Sequence, residues 1–184
     1  MQREEALKLL KQHVKNKNLF KHCLAVEAVM RRLARHFGED EERWGLAGLL
    51  HDVDYDKTVD SPEKHALVGG QILEEQGVDA DIVRAVKAHN PRAAGFEPES
   101  LFEKALFVSD PVTGLIVAAA LIHPDKKLSA IDTGFVLNRF QEKSFARGAN
   151  REQMQKCGEI GLSLEQFIQL SLEAMQAIAK DLGL

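Results

Sequence analysis

Apolar residues recur along this chain at helical spacings, and in five places a histidine or an aspartate stands where the apolar stripe should continue. His22, Val26, Val29 and Leu33 follow one another at intervals of four, three and four, which is one face of an α-helix. Leu7, Leu10 and Val14 mark an earlier helix, and Gly38 stops the one that carries His22. Trp44 to Leu50 is a third apolar stretch, ending in His51-Asp52 and the acidic run Asp52, Asp54, Asp56. Ser61-Pro62 reads as an N-cap followed by proline at the first helical position; the helix it opens carries His65, Val68 and Ile72 on one face and ends at Gly77. Ile82, Val86 and His89 share a face of the next helix, begun at Asp79 or Asp81 and closed by Asn90-Pro91. Phe102, Leu106 and Asp110 share another. His123-Pro124-Asp125 breaks the chain, and Ser163 with Gln166 forms a capping box before a last helix from Leu164 to about Lys180. No alternating strand pattern of useful length is present. The expected fold is all-α, one domain over residues 1–184 with about eight to nine helices. The polar positions fall within about 18–120, and residues from about 126 to 184 form a helical C-terminal cap.

An inward carboxylate is costly unless it is paired, protonated or bound to a cation. A lone inward histidine is commonly a hydrogen-bonded core residue, but several of them on separate helices, beside two aspartates, are harder to explain that way. A mixed imidazole and carboxylate set suits Mn, Fe, Co, Ni or Zn better than Ca, with Mg also possible. His22, His51, Asp52 and Asp110 would leave room for water and substrate on a six-coordinate ion. Adding His65 and His89 supplies a second ion, and two ions about 3.5–4 Å apart can clamp a phosphoryl group. His36 stands apart. It follows His22 by 14 residues, about 21 Å along a helix axis at 1.5 Å per residue, and reads as a C-terminal residue beside Gly38. His13 and His123 read as structural or surface residues.

Charge narrows the partners. The chain has 24 Lys and Arg against 28 Asp and Glu, a net −4, which argues against a nucleic-acid binder and against broad attraction to an anionic membrane. An anionic substrate must then be held by a local site or a metal. Cys23 and Cys157 are too few for a disulfide scaffold and are expected as reduced, buried thiols in the cytoplasm. The N-terminus, Met1-Gln2-Arg3-Glu4-Glu5, lacks the apolar core of a signal peptide. No apolar run approaches a membrane span, the longest being Leu115 to Ile122.

The order His22, His51-Asp52, His65, His89, Asp110 resembles the HD-domain superfamily of metal-dependent phosphohydrolases, whose pattern is H…HD…D. Its two-metal members add two histidines between the pair and the last aspartate. The resemblance covers about residues 18–115. The stretch Ser109 to Leu115 and the tail Lys126 to Leu184 look like a small subgroup described only as predicted HD hydrolases. It implies five or more core helices around a metal site. It also implies His22, His51, Asp52 and Asp110 as ligands of a first ion, and His65 and His89 as ligands of a second ion or of phosphate. The implied activity is hydrolysis of a small, nucleotide-like phosphate ester by water activated on one or two divalent ions. The guanosine-tetraphosphate hydrolases carry Glu-Asp three residues after the pair, where this chain has Tyr55-Asp56. The cyclic-dinucleotide phosphodiesterases carry Gly and Lys after the pair and a GYP motif, which are absent.

Within that reading Asp52 is catalytic, and Asp54 or Asp56 is expected to position the water or assist proton transfer, or else to cap a helix or sit in a solvated loop. Lys57 and Lys64 are candidates to neutralise phosphate oxygens, or plain surface charge. Thr113 is expected to hydrogen-bond a ligand carboxylate, or else to be a plain core threonine. Lys126, Lys127, Lys143, Arg147 and Arg151 form a loose basic set, read as a gate to the site or as a solvated face. Two rival readings remain: a di-iron oxygenase built on the same ligand set, and a non-catalytic module binding a nucleotide or a partner helix. Oligomeric state is open.

Overall fold

The computed structural model describes residues 1–184. It contains α-helices and two short 3₁₀ turns and no strand. Eight helices have nine or more residues: α1 (Arg3–His13), α2 (Lys17–Phe37), α3 (Glu41–Leu50), α5 (Leu67–Glu75), α6 (Ala80–Ala88), α8 (Leu101–Ile122), α9 (Thr133–Gln141) and α11 (Leu164–Ala177). Four are single turns or little more: α4 (Tyr55–Thr58), α7 (Pro91–Ala94), α10 (Arg151–Gln155) and α12 (Ala179–Leu182). The boundaries follow local chemistry. Asn16 caps α2 by accepting from the N–H groups of Asn18 and Leu19, and Gly38, at φ 73°, closes it. Asp40 caps α3 in the same way, and the Ser163–Gln166 capping box opens α11.

Helices α2 and α3 form the tightest pair, and α8 runs through the middle of the molecule against α2, α6, α9, α10 and α11. The C-terminal helices share this core: Phe167, Ile168 and Met175 of α11 are buried with Met30, Leu33 and Leu115. The approach of α2 and α3 depends on Gly48. A Cβ there would lie 2.8 Å from the Val26 carbonyl oxygen and 2.9 Å from the Glu27 Cα, both backbone atoms.

Two departures from the sequence reading bear on the site. Helix α8 is long and apolar enough to cross a membrane by length and composition, which the broken apolar run did not suggest; 61% of its most apolar window is buried within the fold. It runs unbroken through Pro111, which has no N–H to offer the carbonyl four residues back. Gln153 Nε2 donates to that orphaned Phe107 oxygen at 2.5 Å, so α10 repairs the helix one residue from Asp110. The second departure is at α5. The helix expected from Pro62 begins only at Leu67, after turns and an Ala66 at φ 74°. His65 therefore stands before α5 and not on it.

Gly48→Ala is expected to wedge α2 and α3 apart. The cost is about 1–3 kcal/mol, a fall in Tm of about 2–12 °C at 2–4 °C per kcal/mol, read by calorimetry; an unchanged Tm would contradict so close an approach.

Candidate metal centre

His22 projects from the second turn of α2, His51 ends α3, His89 ends α6, and Asp110 lies on α8; Asp52 and His65 come from the turns beside α3 and α5. Their side chains meet. His22 Nε2 lies 3.1 Å from His51 Nε2, and His65 Nε2 lies 3.1 Å from His89 Nε2. Asp52 sits between the pairs. Its Oδ2 is 3.6 and 3.5 Å from His22 and His51 Nε2, and its Oδ1 is 3.2 and 3.6 Å from His65 and His89 Nε2. Asp110 Oδ1 joins the first pair, 3.1 Å from His22 Nε2 and 3.8 Å from His51 Nε2. The arrangement gives two donor groups, His22–His51–Asp52 and Asp52–His65–His89, sharing one carboxylate.

The far nitrogens decide what the near ones can do. His51 Nδ1 lies 2.8 Å from the Gly48 carbonyl and His89 Nδ1 2.5 Å from the Val86 carbonyl, so both Nδ1 atoms must donate. His65 Nδ1 donates to Asp54 Oδ1 at 3.0 Å. The Thr113 hydroxyl gives its proton to the Asp110 carbonyl, which leaves it to accept from His22 Nδ1 at 3.0 Å. All four imidazoles thus hold a proton on Nδ1 and turn Nε2 toward the centre. Two lone pairs at 3.1 Å repel unless a proton or a cation lies between them. This donor set of nitrogens and carboxylate oxygens fits divalent transition metals.

The cluster is strongly polarised. Burial by itself lowers the His51 imidazole, but the Asp52 and Asp110 carboxylates outweigh it and hold the group up at about 9. Burial also acts downward on His65, and Asp52 and Asp54 raise it to about 10. Burial pushes the Asp52 carboxyl up, yet His51, His65, His89 and His22 bring it well below the usual carboxylate range. Asp110 is also held below that range, burial being overcome by His22 and His51.

A profile of the HD domain matches residues 19–115, more than half of the chain. The chain belongs to the HD domain family. Side chains of this HD domain that could hold a metal are those just described, and all lie inside the match. Among relatives, a ribonuclease Y of Nitratidesulfovibrio vulgaris is 36% identical over 41% of this chain, which is 14% of the ribonuclease. An uncharacterised protein of Methanocaldococcus jannaschii is 28% identical over 78% of this chain and 86% of its own length. A tRNA (cytidine(56)-2'-O)-methyltransferase of Picrophilus torridus is 27% identical over 80% of this chain and 43% of its own length. The chain therefore spans a small part of the ribonucleases it matches.

A cleft of about 570 Å³ opens over the cluster, lined by His22, Asp52, His65, His89 and Asp110 with Asn18, Tyr55, Asn90 and Gln153. Four residues expected at this cleft are elsewhere. Asp54 is wholly buried, and accepts from Ala66 N at 2.9 Å and Gly69 N at 2.7 Å besides His65. It caps α5 in place of Ala66 and anchors His65, so it cannot position a water in the cleft. Asp56 accepts from the backbone N–H groups of Lys15 and Asn16, tying the α1–α2 turn to α4. Lys57 is exposed near His13, whose imidazole is pushed down by burial and then by the Lys57 and Lys15 charges. Lys64 is exposed and does not line the cleft. Thr113 bonds an imidazole, not a carboxylate. Neither Asn90, which the sequence marks only as a helix end, nor Gln153 follows an apolar stripe, so nothing in the sequence points to them as cleft residues.

Metal must displace protons that sit on Nε2. In metal-free protein, charged His51 and His65 stabilise the fold fully below the unfolded value of about 6.5, and that contribution is lost as pH rises through about 9 and 10. Metal-derived stability changes in the opposite sense. Chelated protein is expected to lose Tm between pH 7 and 9, and Mn-loaded protein to gain on it steadily; parallel curves would contradict proton–metal exchange here.

Proposed function

We propose that this chain is a phosphohydrolase that uses two divalent ions to hydrolyse a small, nucleotide-like phosphate ester. The observation that carries the reading is Asp52, with one carboxylate oxygen toward each pair of inward Nε2 atoms. His22, His51, Asp52 and Asp110 would hold the first ion, and Asp52, His65 and His89 the second. Mn, Fe, Co, Ni and Zn suit these donors, and Mg is a further candidate. Ions held there supply Lewis acidity and lower the pKa of a coordinated water.

The chain's own residues do the rest. Thr113, Gly48, Asp54 and Val86 fix the imidazole rings, so the donors need not reorganise when substrate arrives. Asp110 is the more open of the two acids, with 32% of its side chain exposed, so its carboxylate would complete the first donor set at the mouth of the cleft, where substrate enters. Asn18 offers its amide to hydroxyl groups or base edges in the cleft, and Asn90 and Gln153, whose amide nitrogens donate to backbone carbonyls, offer their amide oxygens. Its volume suits a mononucleotide or a smaller ester.

The ribonuclease Y relatives support phosphodiester cleavage as a second reading. The net charge of −4 and a cleft lined by no Lys or Arg favour a small substrate over RNA. The same reading involves no nucleic-acid or membrane partner. It places the protein in the cytoplasm, where the buried, unbonded Cys23 and Cys157 stay reduced.

Protein loaded with Mn, Co or Ni is expected to release phosphate from some member of a panel of nucleotides and small esters. Asp110→Ala, which removes a ligand of the first ion, should lower kcat/KM by about 10²-fold or more. A loaded wild type that turns over no phosphate ester would overturn the proposal; oxygen consumption by an iron-loaded form would replace it with the oxygenase reading, and tight nucleotide binding without turnover with a binding module.

A further inference from the structure

The cleft presents acids, imidazoles and amides but no Lys or Arg, although a phosphate must approach Asp52 and Asp110. Beside it lies a smaller, open pocket of about 300 Å³, lined by His22, Asp110, Pro111 and Gly114 and by Ala146, Gly148 and Ala149. This second wall is irregular chain between α9 and α10, and one side chain organises it. Arg151 Nη1 donates to the carbonyls of Ala146 at 2.6 Å and Ala149 at 2.8 Å. Its Nη2 donates to Phe145 at 2.5 Å and Arg139 at 3.5 Å, and its Nε to Phe140 at 3.4 Å. All five partners are carbonyl oxygens, so this guanidinium is fully used inside the protein. Ala146, at φ 44°, lies in the left-handed region that a Cβ disfavours, and the Arg151 bond to its carbonyl holds it there.

Arg147 falls between two wall residues, Ala146 and Gly148. It is exposed and makes no ion pair or hydrogen bond with the protein, a state it shares with Arg92 on α7, whereas Arg3, Arg31, Arg32, Arg35, Arg43, Arg84 and Arg139 all pair with carboxylates. The Arg147 side chain lines neither cavity and stands in solvent, while the backbone on either side of it is clamped against the cavity shared with His22 and Asp110; an unpaired guanidinium so tethered is suited to bidentate phosphate binding.

We propose that residues 142–150 form the phosphate-holding wall of the centre, with Arg147 as the cation that meets the substrate phosphate and Arg151 as the positioning residue that fixes the wall. The proposal rests on the phosphohydrolase reading. It assigns the two arginines different roles: one holds substrate, the other holds backbone.

The test is calorimetric titration of inorganic phosphate into Mn-loaded protein, with metal content and Tm measured for each variant. Arg147→Gln is expected to weaken phosphate binding about tenfold with metal content and Tm unchanged, and Arg147→Lys to recover part of the loss. Arg151→Gln is expected to weaken phosphate binding and, in metal-free protein, to open the segment to trypsin after Lys143 and Arg147. Phosphate binding by Arg147→Gln within about twofold of wild type would overturn the assignment of Arg147 and leave the hydrolase reading intact. An Arg151→Gln protein as resistant to trypsin as wild type would overturn the clamp. Wild-type protein that loads metal but binds no phosphate would overturn both this proposal and the reading beneath it.

Discussion

Four imidazoles with their Nδ1 protons already committed cannot face one another across 3.1 Å without positive charge between them. That constraint organises the rest of the molecule. Placing lone pairs in a core is unfavourable, so each ring is fixed from behind by its own acceptor: the carbonyl three residues back in the same helix for His51 and for His89, a hydroxyl on α8 for His22, a buried carboxylate for His65. Asp52 then compensates both pairs at once, because its two oxygens reach in different directions from one backbone position.

The supports around the centre each stand in for something the local chain lacks. Ala66 has no side chain that can cap α5, and Asp54 supplies the missing acceptor from eleven or more residues away while also orienting His65. Pro111 has no N–H for Phe107, and Gln153 supplies the missing donor. The wall at residues 142–150 lacks regular hydrogen bonding, and Arg151 gathers its carbonyls. Two of these three supports come from α10, so the C-terminal part of the chain shapes a centre whose donors all lie before it.

The helices and the inward donors were legible in the sequence for one reason. His22, His89 and Asp110 lie on long periodic helices, where a polar residue on an apolar stripe can be recognised by its spacing. His51-Asp52 was legible as the polar end of an apolar run. The stretch from His51 to Leu67 was not, since it follows turns and carries no period. Asp54 and Asp56 look alike there as acids near a histidine. Only the fold shows one capping α5 and the other the α1–α2 turn. Arg151 looked like surface charge because its partners are backbone oxygens, which leave no mark on composition. Gln153 was invisible because the group it satisfies is defined by the proton that Pro111 lacks.

The most direct test of the shared carboxylate is a count of tightly bound divalent ions per chain after Mn or Ni loading, by elemental mass spectrometry. The count is made for wild type, His65→Ala and Asp52→Ala. If Asp52 joins two cation positions, wild type holds two ions, His65→Ala keeps the one bound by His22, His51 and Asp110, and Asp52→Ala, which loses a ligand from both positions, retains neither. Equal metal content in wild type and Asp52→Ala would contradict the account, as would a His65→Ala protein that still holds two ions.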